Sequence, residues 1–271
     1  MTLQELQDFY SRDADAILAD AKHGEAHEAL LAALESGSLR AATCSTTGEW
    51  NAVSWVKAAI LAGFRRFNLE RMEGPGFPFF DKGAYPPRAF TLDDAVRLVP
   101  GGSSARRGAF VGKGVVVMPP AYINVGAFVD EGTMVDSHAL VGSCAQIGRR
   151  VHLSAGAQIG GVLEPAGARP VVIEDEAFIG GLVGLFEGIV VRRRAVLASG
   201  VVITGGTVIH DLVHSRELRR EVPENAVVVP GSRPASGAFA KERGLQLYAP
   251  CIVKYRDPKT DAATALEEAL R

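Results

Sequence analysis

From Val111 onward, every sixth residue is aliphatic. The series runs Val111, Val117, Ile123, Val129, Val135, Val141, Ile147, Leu153 and Ile159, breaks, and resumes at Ile173 with Ile179, Leu185, Val191, Leu197, Ile203 and Ile209. The fourth residue after each is mostly small or β-branched, as at Ala121, Ala127, Thr133, Ala139, Ala145, Ala157, Ala177, Ala195, Val201 and Thr207. Glycine directly follows the aliphatic at Gly112, Gly142, Gly148, Gly160 and Gly180. Neither a helical period nor the period of two of a strand gives a spacing of six. A parallel β-helix does. Each hexad supplies one short strand and one corner, and three hexads close a triangular coil. The aliphatic points inward, the small residue lies near the corner, and glycine is expected to accommodate the corner's backbone angles. Each buried aliphatic contributes roughly 1.5–3 kcal/mol, but no coil buries its own top and bottom, so several must stack. The pattern predicts a mainly β fold of about five to six coils over residues 109–232.

The flanks read differently. In residues 1–70, Leu3, Leu6 and Phe9-Tyr10 recur at helical spacing, then Ala29, Leu30, Ala33 and Leu34, then Trp55, Ala58, Ala59, Ala62 and Phe64, with Gly37 and Gly48 as helix stops. Residues 70–108 are punctuated by Gly74-Pro75-Gly76, Pro78 and Pro86-Pro87 and predict irregular structure. Residues 1–108 thus form a helical domain and connecting segment. Two interruptions, Glu164–Val172 and Asp211–Glu221, should leave the prism at corners, and Val222–Gly231 reads as a last coil. Residues 233–271 read as a C-terminal element, with strands over 245–256 and a helix over 260–271.

Composition narrows the function. A net charge of −2 offers nothing to nucleic acid or an anionic membrane. The longest apolar run, Val115–Tyr122, is too short to span a bilayer and holds two prolines. Cys44, Cys144 and Cys251 form no CxxC pair and suit a reducing cytoplasm. A zinc hydratase of this architecture needs three converging histidines. His138 and His152 are fourteen residues apart rather than a coil repeat of eighteen, so no metal site is expected.

The stretch Asn124–Asp136 (NVGAFVDEGTMVD), with Val141–Gly148 (VGSCAQIG), Gly160–Pro165 (GGVLEP), Phe80-Asp81-Lys82 and Arg97-Leu98-Val99-Pro100, resembles the tetrahydrodipicolinate N-succinyltransferase family over most of the chain. The resemblance implies a left-handed β-helix, a homotrimer, and succinyl transfer from succinyl-CoA to a small cyclic amino-dicarboxylate in lysine and diaminopimelate biosynthesis. It places Arg97 and Asp136 as substrate contacts. A guanidinium clamps a carboxylate bidentately, and a carboxylate beside an attacking nitrogen orients it and takes its proton. Acyl-CoA is then a co-substrate, with no tightly bound cofactor. It would lie in the groove between prisms, where Gly160-Gly161, Ser199-Gly200 and Gly205-Gly206 permit close backbone approach and Arg192, Arg193 and Arg194 could meet the phosphates.

One stretch departs from the family. Leu182 and Gly184 stand where the resemblance implies an arginine and a catalytic glutamate, and Glu187 follows three residues on. Glu187 or a water then serves as base. Alternatively, the chain acylates a related amine from acetyl-CoA in a secondary pathway. A non-catalytic trimeric scaffold is the remaining alternative. Cys144 has no base beside it in sequence to make it an acyl carrier.

Overall fold

The six-residue series closes into a triangular prism with an eighteen-residue turn: Phe128 pairs in parallel with Phe110 on one side and Gln146 on the other. The structure, a computed structural model, describes residues 1–74 and 78–257. The first face stacks Phe110–Val111, Phe128–Val129, Gln146–Ile147, Val172–Ile173, Val190–Val191 and Glu221–Val222. The second stacks Arg97–Leu98, Val116–Val117, Met134–Val135, His152–Leu153, Phe178–Ile179, Val196–Leu197 and Ala226–Val229, and the third runs from Ser104–Ala105 to Val202–Ile203. The result is a left-handed parallel β-helix. The series aliphatics from Val111 to Ile203 are at most 4% exposed and form one continuous core.

The stacking starts before residue 109, since Arg97 pairs with Val116 and Ser104 with Tyr122. The segment 70–108 is also less irregular than its prolines suggest. Leu69–Met72 and Phe79–Lys82 form an antiparallel hairpin ahead of those first two strands.

The corner glycines need a different explanation from the one the sequence suggests. Positive φ falls three residues before the aliphatic, at Gly108, Gly114, Gly126, Gly132, His138, Cys144, Arg150, Gly156, Glu176, Leu182, Gly188, Arg194 and Gly200. Glycines just after the aliphatic have ordinary φ, but they lie hard against the next coil. A Cβ on Gly112 would stand 2.8 Å from the Glu131 nitrogen and one on Gly180 2.7 Å from the Ser199 nitrogen, while one on Gly142 would overlap the Gly161 nitrogen. Close approach of backbones, not turn geometry, excludes side chains there.

Both interruptions leave from the corner between the third and first faces. Gln146 pairs with Val172, 26 residues on, and Val190 with Glu221, 31 residues on, instead of 18. The second excursion is an antiparallel hairpin of Val208–Asp211 and Arg216–Arg219. Ile209 therefore belongs to the hairpin, and Val222 takes the first-face position. Asp211, 1% exposed, accepts hydrogen bonds from the amides of Val213 and His214, from Arg216 Nε and from Tyr255 OH. The strand Cys251–Tyr255 then runs antiparallel to Ala226–Val229 and parallel to Val208–Asp211, and so joins the hairpin to the second-face sheet. A short helix, Ala238–Arg243, precedes it without a forecast from periodicity. The helix expected over 260–271 lies outside the described residues.

The N-terminal domain comprises α1 (Leu3–Tyr10), α2 (Ala14–Ala19), α3 (His23–Glu35) and α4 (Ser54–Arg66). Gly37 ends α3 with φ of 74°, as expected of a C-terminal glycine. Gly48 does not stop a helix; it turns a hairpin of Ala42–Cys44 and Trp50–Ala52. The buried stripe of α4 is Val56, Lys57, Ala59, Ile60 and Gly63; it shares Ala59 with the expected face, leaves Trp55, Ala62 and Phe64 at its margin, and holds a lysine. The domain covers the first face and the corner that leads into it from the third, where its apolar cluster takes in Val125 and Cys144. Arg40 sits 3.7 Å over Phe128 and donates to Gln146 Oε1 at 2.9 Å; Trp50 Nε1 donates to Glu174 at 2.9 Å. Among the described residues the N-terminal helices do not cover the second and third faces, whose outward rows include Val116, Met134, Phe178 and Val196, and Tyr122, Leu140 and Val202.

Candidate active site

Because every corner repeats after three hexads, residues far apart in sequence line up in vertical columns along the prism's corners. The corner after the second face carries Asp136, then Ser154, Gly180-Gly181-Leu182 and Ala198-Ser199-Gly200 one coil apart. Asp136 Oδ1 accepts from the Ser137 amide at 2.7 Å, which fixes the carboxylate's rotamer, and no partner for Oδ2 is recorded among the described residues. Leu182 holds φ of 60° and is 73% exposed. A branched side chain in the left-handed region costs about 1–2 kcal/mol, and this one buries little in return. Gly200 has open space where a Cβ would stand. Arg97 is exposed at the head of the second face, two coils above the strand Met134–Val135 that delivers Asp136.

The corner after the third face carries the other group. Glu187 is exposed with φ of 56°, directly followed by Gly188 at 74°, so two consecutive residues are left-handed. At the other corners of the regular series only one is. Such an outlier is worth reading for function. The doubled turn throws the Glu187 side chain outward, where Oε2 accepts from the Gly205 amide at 3.0 Å. Gly206 is open. Gly160 and Gly161 are not: a Cβ on Gly160 would meet Phe186 Cδ1 at 2.7 Å, and one on Gly161 the Ser143 nitrogen at 2.6 Å. Their lack of a side chain is thus already accounted for by contacts within the chain. Phe186 also lies across Gly184, with Cε2 2.7 Å from where its Cβ would be.

The sequence-based candidates therefore divide between two corners of the third face. Asp136, Ser199 and Gly200 stand on one, and Glu187, Gly160, Gly161, Gly205 and Gly206 on the other. A single chain does not bring Asp136 and Glu187 together.

The arginine triplet is held by carboxylates of the same chain. Arg192 pairs with Glu174 and Glu221, each at 2.8 Å, and Arg193 and Arg194 pair with Glu176 at 2.8 and 3.3 Å. Cys144 is fully buried, and burial pushes its thiol up to about 12, so it holds no thiolate at neutral pH. Among the described residues no three His, Cys, Asp or Glu side chains converge as a metal-ligand set, and no helix is long and apolar enough to cross a membrane.

Sequence reasoning missed a cavity of about 370 Å³ beside Glu187, walled by Val162, Glu164, Pro165, Ala168, Arg169 and Arg220. Its wall comes from both excursions, whose shared corner became visible only once the coils were closed. Sequence reasoning also missed Lys57, which is 0% exposed and donates to the carbonyls of Pro165 at 3.0 Å and Ala168 at 2.5 Å. Burial lowers its pKa. The one available signal was a lysine on the apolar stripe of α4.

Residues 4–65 match the model of the tetrahydrodipicolinate N-succinyltransferase N-terminal domain, and residues 170–205 match that of the hexapeptide repeat of succinyl-transferase. The chain is 46% identical over 253 residues to a 2,3,4,5-tetrahydropyridine-2,6-dicarboxylate N-succinyltransferase of Aromatoleum aromaticum, covering 91% of this chain and 89% of the relative. It is 41% identical over 271 residues to the enzyme of that name from Rhodopseudomonas palustris, covering 97% and 95%. A crystal structure of a 2,3,4,5-tetrahydropyridine-2-carboxylate N-succinyltransferase from Campylobacter jejuni shares the fold, with a TM-score of 0.55 and 14% identity, over 89% of this chain and 64% of that one.

Proposed function

This chain belongs to the tetrahydrodipicolinate N-succinyltransferase family, and from that premise we propose that it is an acyltransferase moving succinyl from succinyl-CoA to the nitrogen of 2,3,4,5-tetrahydropyridine-2,6-dicarboxylate, a step towards diaminopimelate and lysine. The observation that carries the reading is identity along most of the chain, 46% over 91% of its length.

The chemistry assigns roles to the residues. The acceptor's ring imine has no N–H, so a water adds across C=N and leaves a secondary amine. That nitrogen attacks the thioester carbonyl, the C–N bond forms and an oxyanion develops. Its collapse breaks C–S and releases CoA, while the ring opens to the ketone. The amine proton passes through a carboxylate to the departing sulfur. Asp136, with one oxygen fixed by Ser137 and the other open, is suited to orient the nitrogen and accept that proton. Glu187 is the carboxylate on the facing corner. The Gly205 and Gly200 amides are engaged by Glu187 and by the Gly181 carbonyl, which leaves the amides of Ser199 and Gly206, beside the open positions Gly200 and Gly206, suited to the oxyanion and to the pantetheine arm. Arg97 is suited to an acceptor carboxylate.

Division of these residues between two corners supports a homotrimer, in which one chain's Asp136 corner meets its neighbour's Glu187 corner. The outward apolar rows of the second and third faces, such as Val116, Met134, Phe178 and Leu140, would supply the contact. Sedimentation equilibrium tests the assembly, with a threefold mass expected. The protein would act in the cytoplasm, where acyl-CoA is found.

Phe186 over Gly184 and the exposed Leu182 favour a second reading, transfer of acetyl to a related amine. Thiol release from succinyl-CoA and from acetyl-CoA, each with the cyclic acceptor, separates the two readings.

A further inference from the structure

We infer that Arg169, held in place from the N-terminal domain by Lys57, is a substrate-binding residue that receives a carboxylate of the acceptor beside Glu187. The inference rests on the acyl-transfer reading.

The guanidinium is half-buried at the wall of the 370 Å³ cavity. Its Nε donates to the Gly188 carbonyl at 3.0 Å. Among the described residues no acceptor is recorded for its two terminal nitrogens. A half-buried guanidinium whose two terminal nitrogens lie in one plane without a recorded acceptor is a bidentate receptor for a planar anion. Burial disfavours its charge, with Arg220 and Arg192 adding to the cost and Glu221 opposing it. A ligand carboxylate would remove that penalty. The rest of the wall sets the ligand class. Arg220 adds a second cation, Glu187 is tied to the Gly205 amide, and Glu164 adds a second carboxylate. Cations and carboxylates in equal number suit a ligand carrying both a carboxylate and a nitrogen centre. The apolar groups Val162, Pro165 and Ala168 suit its carbon frame.

The position of Arg169 is set from outside the prism. Pro165–Ala168 is a tight turn closed by the Ala168 amide on the Pro165 carbonyl at 2.9 Å, and Lys57 binds both carbonyls of that turn. Arg169 is the next residue. Its own backbone carbonyl packs against Gly188, where a Cβ would clash. A continuous series of contacts thus runs from α4 through Lys57, the turn and Arg169 to the corner that presents Glu187. Lys57 is a positioning residue, since it touches the turn and not the cavity.

The test uses the intact protein and steady-state kinetics with both substrates varied. Wild-type turnover of the cyclic acceptor tests the acyl-transfer reading by itself. Arg169→Met is then expected to raise the acceptor KM at least about tenfold, the scale of one lost charged hydrogen-bond pair, with the KM for acyl-CoA within about twofold. Arg169→Lys should recover part of the loss and shows that the position tolerates substitution. Lys57→Met should raise the same KM and speed amide hydrogen exchange across residues 160–171, with Arg169 still present. An unchanged acceptor KM in Arg169→Met overturns the assignment. A rise confined to the acyl-CoA KM also overturns it, because the site would then serve the donor's phosphates or acyl carboxylate. Unaltered exchange and KM in Lys57→Met overturns the positioning role.

Discussion

Leu182 stands over Gly156 on the corner below Asp136: a Cβ built on Gly156 would lie 2.8 Å from Leu182 Cδ2. The two residues hold the same corner position one coil apart, both with positive φ, 60° and 71°. The glycine below gives the leucine room, and the leucine stays 73% exposed in a conformation that disfavours it.

Replacing Leu182 with asparagine, which tolerates the left-handed region, should stabilise the fold by about 1 kcal/mol. For a domain of this size that is a rise in Tm of roughly 2–4 °C. Differential scanning calorimetry reads it. A loss of activity in the stabilised variant would show that the strain is kept for substrate contact, whereas unchanged stability would refute the account of the corner.

Gly142 and Gly167 form a contrasting pair. Gly142→Ala places a methyl group into the Gly161 backbone of the neighbouring coil and should cost more than about 2 kcal/mol, because two stacked backbones cannot shift apart locally. Gly167 has ordinary φ and nothing within 4 Å of its absent Cβ, so Gly167→Ala should be neutral or stabilising by up to about 1 kcal/mol. Urea unfolding midpoints compare the two directly.

Acid stability should depend on Glu176. Hydrogen bonds from Arg150 and then Arg193 overcome burial and lower its carboxyl from the ordinary 4.5 to about 2. The folded value is depressed, so the stabilisation is present above pH 4.5 and is lost as pH falls from there towards 2. The arginine side chains are 54% and 52% exposed, so solvent screening limits the gain to about 1 kcal/mol. Glu176→Gln should lower Tm at pH 7 and by progressively less as pH falls through 2. A loss that does not shrink with falling pH would mean the carboxylate's charge contributes nothing.

The prism was legible because its signal is one of spacing. An aliphatic at every sixth position admits a single closure, and even the interruptions showed as breaks in the series. The corner glycines were legible as residues but not as causes, because contact between coils depends on the eighteen-residue repeat that closure creates. Half of the candidate site escaped for the same reason. Arg169 and Arg220 are 51 residues apart in sequence and share a wall only because both excursions leave one corner. Lys57 binds carbonyls 108 and 111 residues away, a pairing no local pattern encodes. The helical domain before the prism, whose sequence shows only its helices, also holds the excursion beside Glu187 through Lys57.

The most direct test of the central claim is thiol release from succinyl-CoA with 2,3,4,5-tetrahydropyridine-2,6-dicarboxylate, measured for the wild type and for Asp136→Asn. The expected result is turnover by the wild type and a loss of kcat of about 10²-fold or more in the variant, the scale of a removed general base, with its Tm and CoA binding retained. A wild type that releases thiol only from acetyl-CoA or only with another amine contradicts the succinyl-transfer assignment, and an Asp136→Asn protein turning over at the wild-type rate contradicts the role given to the Asp136 corner.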